Sequence, residues 1–367
     1  MTLKTLTQKH FYVFLIPAVV LLLFCLSSIH AHAGVVQPSG EKYGDDYAIE
    51  EELRENGTAT LVKGKTYYIS SWMSLDSNQT LNATGATLVC DGACTRTFGY
   101  KTGYNSAKNV KIIGGKWIST IKGGYTQTSF SFSHANNITL KNMEILCTNA
   151  EGHAIEFVSC KDCTVSGCRI IAQGKSKKNS VEEMVQIDLA TPRTAPFLTK
   201  KYQNGLACKN ISIIGNTITG NRAVCTNYAA SEKKYKKKYH SNIVIKNNVL
   251  TGKTSEALAM FNTISATVSG NTIKTKSSRT GTAYSIGCHF ALFGNIKKAS
   301  SGKIVVKNNK IYGGRQAFQI YSHTGSRYGS LKLTGNKLYC KKGAGNAIKI
   351  GGVKKVKQSK NKTKKWK

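Results

Sequence analysis

Two carboxylates on neighbouring alternating segments have the residue type and spacing to do chemistry. Glu156 lies in His153-Ala-Ile-Glu-Phe and Asp188 in Val185-Gln-Ile-Asp-Leu, and each segment alternates apolar and polar side chains as a half-buried strand does. If the segments are successive turns of one coil, with Glu156 opposite Gln186, Asp188 is displaced by one rung and two residues. About 4.8 Å per rung and about 6.6 Å per two strand residues give an offset of roughly 8 Å. Carboxylates about 6.5–9.5 Å apart leave room for a water, the arrangement of inverting glycosidic hydrolysis. One would protonate the leaving oxygen and the other would take a proton from water, with His153 tuning either charge. This route needs no cofactor.

The competing chemistry is β-elimination beside a uronate carboxylate. It needs that carboxylate neutralised by a cation or Ca²⁺, and a basic side chain as proton acceptor. Arg222, Arg193, Lys200 and Lys201 lie in or beside inserted segments, while Glu156 and Asp188 could ligate Ca²⁺. Nothing in the sequence selects one base among these cations, so hydrolysis and elimination both stay open.

Further residues are expected to bind substrate. Gln186 shares the column of Glu156; Val158, Asn227 and Phe261 share that of Asp188; His153, Glu183, Arg222 and Glu256 line the leading edge. His240 opens a rung after the lysine-rich residues 233–238, a loop suited to a polyanion or simply to solvent. A plainer role exists for several of these. Gln186 and Asn227 equally suit amide ladders, and the edge charges could only offset one another.

The elements that must position these residues come from an internal repeat. Its core unit recurs eight times, as in Asn109-Val-Lys-Ile, Asn137-Ile-Thr-Leu, Asp162-Cys-Thr-Val, Asn210-Ile-Ser-Ile and Asn242-Ile-Val-Ile. Two residues after each unit stands only Gly or Asn: Gly114, Asn142, Gly167, Gly215, Asn247, Gly270, Asn308 and Gly335. These are the residues that best tolerate a left-handed backbone, so a tight turn is expected there. The next position is Asn in five units, from Asn216 to Asn336, and amides stacked one per rung can hydrogen-bond along the stack. A third strand precedes each unit, with Ser131, Glu156, Gln186, Cys225, Ala259, His289, Gln319 and Lys349 in one column. The spacing predicts an all-β fold, a single-stranded right-handed parallel β-helix with three strands per coil. Residues 45–57 read as a short N-terminal capping helix, started by Asp45 or Asp46 and ended by Gly57. Long inserts at 172–180, 190–210 and 228–242 would wall a groove over the third-strand face.

Repeats of the form Asn-Ile-x-Ile-x-Gly/Asn-Asn-x-Ile resemble the right-handed parallel β-helix proteins of the pectin-lyase superfamily. Asp45-Asp-Tyr-Ala-Ile-Glu-Glu-Glu-Leu, followed by Gly64-Lys-Thr-Tyr-Tyr-Ile, is similar to the N-terminal cap of its secreted polygalacturonase-type members. The resemblance spans roughly residues 43–350 and implies a carbohydrate-active architecture; the superfamily includes lyases, hydrolases, epimerases, esterases and binding proteins. The polygalacturonase Gly-His-Gly is only echoed, in Gly152-His153-Ala154, and the pectate-lyase Trp-Ile-Asp-His is missing. No catalytic residue transfers by motif.

Lys4 and Lys9, an apolar run over 11–28 and Ala31-His-Ala33 have the layout of a signal peptide over residues 1–33, although its length also suits an uncleaved anchor. The expected organisation is that leader, then cap and first coils over 34–100, the β-helix over 101–352 and a basic, disordered tail over 353–367. After residue 33 the chain carries 51 lysines and arginines against 18 acids, a net +33. Such an excess favours polyanions. In an exported, monomeric protein the expected partner is acidic polysaccharide or an anionic cell wall, with no nucleic acid and no membrane once the leader is cleaved. The alternative is a non-catalytic polysaccharide-binding or adhesion module. Ten cysteines follow the leader, and bridges between Cys90 and Cys94 and between Cys160 and Cys208 are compatible with export. Cys160-x-x-Cys163 stands alone, so no zinc site is expected.

Overall fold

The Gly/Asn turn positions set the geometry of each coil. Gly114, Asn142, Gly167, Gly215, Asn247, Gly270, Asn308 and Gly335 all take a positive φ, between 55° and 69°. A second left-handed position opens the units, at Asn109, Asn137, Asp162, Asn210 and Asn242. Each turn bends the chain from one strand into the next without a β-branched residue in a strained conformation. The computed structural model describes residues 34–97, 101–120, 128–228, 232, 234–235 and 237–367; the proposed leader and part of the lysine-rich loop lie outside them.

Among the described residues, strands stack into three parallel sheets of 12, 10 and 11 strands, and the fold is a right-handed β-helix. Alternation decides which side chains enter the core. In Lys209–Ile214 and Thr217–Gly220, for example, Ile211, Ile213 and Ile218 point inward and are fully buried. Asn216, Asn248, Asn271, Asn309 and Asn336 form the expected ladder at 2.9–3.0 Å, and Asn361 extends it by one rung. A second amide ladder joins Asn78, Asn109 and Asn137 on the outside.

The third sheet has the register inferred from spacing. Ser131 pairs with Glu156, Glu156 with Gln186, Gln186 with Cys225, Cys225 with Ala259, Ala259 with His289, His289 with Gln319 and Gln319 with Lys349. This is the site sheet.

Three expectations need correction. The helix Asp45–Asn56 starts after Gly44 with no side-chain cap. Asp45 instead accepts the Ser39 and Tyr68 N–H groups, and Asp46 that of Ser71, so both acids tie the helix to the first coils. The basic terminus is not a disordered tail: Val353–Ser359 and Lys362–Lys365 add strands to two sheets. Backbone pairing to the previous coil outweighs repulsion among exposed lysines. The ten described cysteines are buried free thiols, Cys90, Cys94, Cys160 and Cys208 included; Cys208 Sγ accepts the Cys160 N–H at 3.2 Å. They act as small core side chains.

Candidate functional site

In a bare solenoid the outward residues of a strand meet water. Here the inserts cover them. His153–Val158 and Glu183–Asp188 are buried on both faces, because Val158 packs against Ala190, Ala195 and Leu198 of the insert that follows Asp188. The second long insert closes on the first through Tyr235, whose hydroxyl donates to Gln203 O at 2.5 Å. Between these walls lies a groove of about 650 Å³ floored by the site sheet.

His153, Glu156, Glu183, Gln186, Asp188, Arg222 and Asn227 line this groove together with Arg193, Glu256 and Phe261, whereas Val158, Lys200, Lys201 and His240 do not. Val158 pairs with Asp188 and Glu156 with Gln186, which confirms the displacement of one rung and two residues between the acids. Asp188 Oδ1 accepts the Leu189 N–H at 2.6 Å, and Oδ2 accepts Gln186 Nε2 at 2.9 Å and Asn227 Nδ2 at 3.3 Å. Despite these donors, burial and then the neighbouring Glu156 charge push the Asp188 carboxyl up to about 8. Near neutral pH it is a carboxylic acid holding its proton. Burial raises Glu156 as well, and His153, Ser131, Thr128 and Arg96 offset that rise only in part, with Ser131 Oγ donating to Oε2 at 3.2 Å.

His153 sits among acids. Its Nδ1–H donates to the Glu183 carbonyl at 2.7 Å, and its Nε2 lies 3.6 Å from Glu182. Burial disfavours its charge, yet Glu183, Glu156 and Glu182 together outweigh burial and raise its pKa. His153, Glu182 and Glu183 also bring ligand atoms within 4.8 Å of one another, the one grouping among the described residues with metal-ligand geometry. The pair expected to ligate Ca²⁺, Glu156 and Asp188, is not in that grouping.

Arg222 bridges two acids. Its Nη1 donates to Glu183 and its Nη2 to Glu256, both at 2.7 Å, and Glu256 also accepts His289 Nδ1–H at 3.1 Å. Burial alone would raise Glu256, but Arg222 and His289 hold it well below the usual carboxylate range. This chain spans four successive rungs and fixes the floor of the groove.

His240 departs from expectation. It does not line the groove and is fully buried. Its Nδ1 accepts the Cys208 N–H at 3.1 Å and its Nε2–H donates to Asn227 O at 2.8 Å. Burial pushes it down to about 4, so it is a neutral strut that holds Asn227 beside Asp188.

The far end of the groove is aromatic, and sequence reasoning found only Phe261 there. Tyr228 stacks on Phe293 at 4.0 Å, and Phe293 on His323 at 4.7 Å. Phe261 meets Tyr228, Phe293 and His289 edge-on. These residues come from four coils, and no linear pattern links them. The one available clue was that Phe293 and His323 fall on consecutive turns just past the site strands Cys288–Leu292 and Phe318–Ser322.

No family model matches the sequence, and no curated protein matches it. Similarity appears among solved structures. A surface adhesin of Streptococcus pneumoniae, PfbA, aligns with a TM-score of 0.61 at 15% identity over 90% of each chain. A tailspike double mutant of E. coli bacteriophage HK620 aligns with a TM-score of 0.55 at 14% identity, over 91% of this chain and 67% of that one. A related mutant of that tailspike, in complex with pentasaccharide, gives 0.57 at 13% identity over 91% and 67%. At such identities the likeness is one of fold: this chain shares the parallel β-helix of an adhesin and of phage tailspikes.

Proposed function

We propose that this protein is an extracellular carbohydrate-active β-helix protein that hydrolyses a glycosidic bond in the groove over its site sheet. The observation that carries this reading is the pair of acids set one rung and two residues apart on the groove floor. Asp188, raised to about 8, holds the proton that a leaving glycosidic oxygen needs. Glu156, one rung back and supported by His153, Ser131 and Thr128, is the base. In the step, Asp188 protonates the glycosidic oxygen as the C1–O bond breaks. Glu156 takes a proton from water as the water oxygen bonds C1, so the configuration inverts. An offset of roughly 8 Å admits that water. The aromatic end would hold a sugar through its apolar C–H face.

Elimination has less support. Of the four cations expected to supply its proton acceptor, Lys200 and Lys201 do not line the groove and Arg222 is held between two carboxylates, which leaves Arg193. A protonated Asp188 is also a poor Ca²⁺ ligand.

Binding without turnover is the second reading, favoured by an aromatic platform that needs no catalytic acid. One experiment separates the three. The protein is incubated with pectin, polygalacturonate, alginate, glycosaminoglycans and neutral bacterial polysaccharides, with and without EDTA. Reducing ends of inverted configuration support hydrolysis. An unsaturated, ultraviolet-absorbing product would mean elimination, and retention with no product would mean binding alone.

A further inference from the structure

Glu256, the partner of Arg222 and His289, is the last acidic residue of the sequence. The 111 residues that follow carry 23 lysines and arginines and no aspartate or glutamate. No ion pair among the described residues reaches a lysine or arginine beyond position 222. The coils they build therefore have no acid of their own to offset their charge.

The fold then lines these cations up. Lys310 pairs with Lys337 and Lys337 with Lys362, so three exposed lysines stand in one column at about 4.8 Å per rung. One column over, about 6.6 Å away, Tyr312 pairs with Tyr339 and Tyr339 with Lys364. Tyr312 and Tyr339 stack at 4.5 Å, and Lys274 and Lys341 lie over Trp366 at 5.3 and 4.9 Å. Like charges directly opposite on neighbouring strands destabilise a sheet. A folded protein that keeps such a column without counter-charges has a surface matched to an anion from outside.

We propose that this lysine column, on a different sheet from the groove, is a second binding site for a linear anionic glycan lying along the solenoid axis. One cation per rung is close to the length of one pyranose, so a polymer with one carboxylate per sugar meets a lysine at each residue. A nucleic acid strand fits less well. Its phosphates are spaced more widely than the rungs, and the ring faces it would stack on are taken up by Tyr312 against Tyr339 and by lysines against Trp366. The site would keep the protein on its polymer while the groove works independently.

The test measures binding to immobilised polygalacturonate across salt concentrations, for wild type and for Lys310→Gln/Lys337→Gln/Lys362→Gln. The triple variant should lose at least tenfold in affinity and lower the salt slope by about two, while cleaving short oligosaccharides at the wild-type rate. The triple variant should keep wild-type affinity for short oligosaccharides held in the groove, which separates this site from it. Methyl-esterified pectin and dextran should bind progressively worse. A second variant, Lys332→Gln/Lys357→Gln, alters the neighbouring column on another sheet and should lose less. Unchanged affinity in the triple variant, equal binding of dextran, or tighter binding of single-stranded DNA than of polygalacturonate would each overturn the proposal.

Discussion

Replacing Asp188 with asparagine should abolish activity and at the same time stabilise the protein. The side chain is 1% exposed, and its carboxyl is pushed from 3.8 up to about 8, chiefly by burial and next by Glu156. The unfolded chain gives up this proton near 3.8, the folded one only near 8. Stability linked to the group is therefore fully present below the lower value and lost as pH rises through the upper one. A gap of about 4 units corresponds to roughly 6 kcal/mol at alkaline pH, and about 3 units at pH 7 to roughly 4 kcal/mol. Asparagine cannot ionise and escapes this cost. Its new N–H group needs an acceptor, and Gln186 Oε1, buried and without a partner, becomes one when that amide rotates. Losing the Asn227 contact subtracts about 1 kcal/mol. The net gain at pH 7 should be about 2–3 kcal/mol, larger at pH 9 and absent at pH 4. Urea midpoints of wild type and variant at the three pH values, taken beside turnover of the responsive polysaccharide, test this. A variant no more stable than wild type at pH 9, or one that still turns over, refutes the protonated-acid assignment.

Wild-type activity should fall as pH rises through about 8, when Asp188 loses its proton; a rate that keeps climbing there contradicts its role as acid. His240, neutral down to about 4, contributes stability that is present above 6.5 and lost as pH falls between those values, about 3 kcal/mol in all. His240→Gln should flatten that acid limb in a melting-temperature series. Arg222→Met leaves Glu183 and Glu256 buried without their cation and should cost about 3–5 kcal/mol by chemical denaturation; a loss below 1 kcal/mol would mean the acids find other partners. Asn271→Leu removes the acceptor of the Asn248 N–H and the donor to Ile245 O, at about 3 kcal/mol. An unaltered melting temperature would argue against the ladder as a stabilising element. Phe293→Ala should raise KM with kcat nearly constant, and the reverse pattern would remove the aromatic end from substrate binding.

Most of the architecture was legible because it repeats. The Gly/Asn turns could be aligned without coordinates, and the column from Ser131 to Lys349 then followed by counting, with each predicted pairing found. Position along the solenoid axis was thus available from the sequence for Glu156, Asp188, Gln186 and Arg222. His240 misled because a histidine beside a lysine-rich loop looks exposed, whereas the two inserts fold over it and leave it only backbone partners. The basic terminus misled for a related reason: charge composition suggested disorder, while the repeat continued beneath it as far as Asn361.

The sequence alone determined the coil, its register and the carboxylates that share one trough, since those depend on local turn preferences and a fixed period. Tertiary structure decided what those carboxylates are chemically. Only the packing of the inserts on the site sheet removes water from Asp188 and keeps its proton, ties Arg222 between two acids and gathers Tyr228, Phe261, Phe293 and His323. Desolvation and long-range pairing depend on what lies above a residue, and an insert of irregular length carries no period from which to infer that.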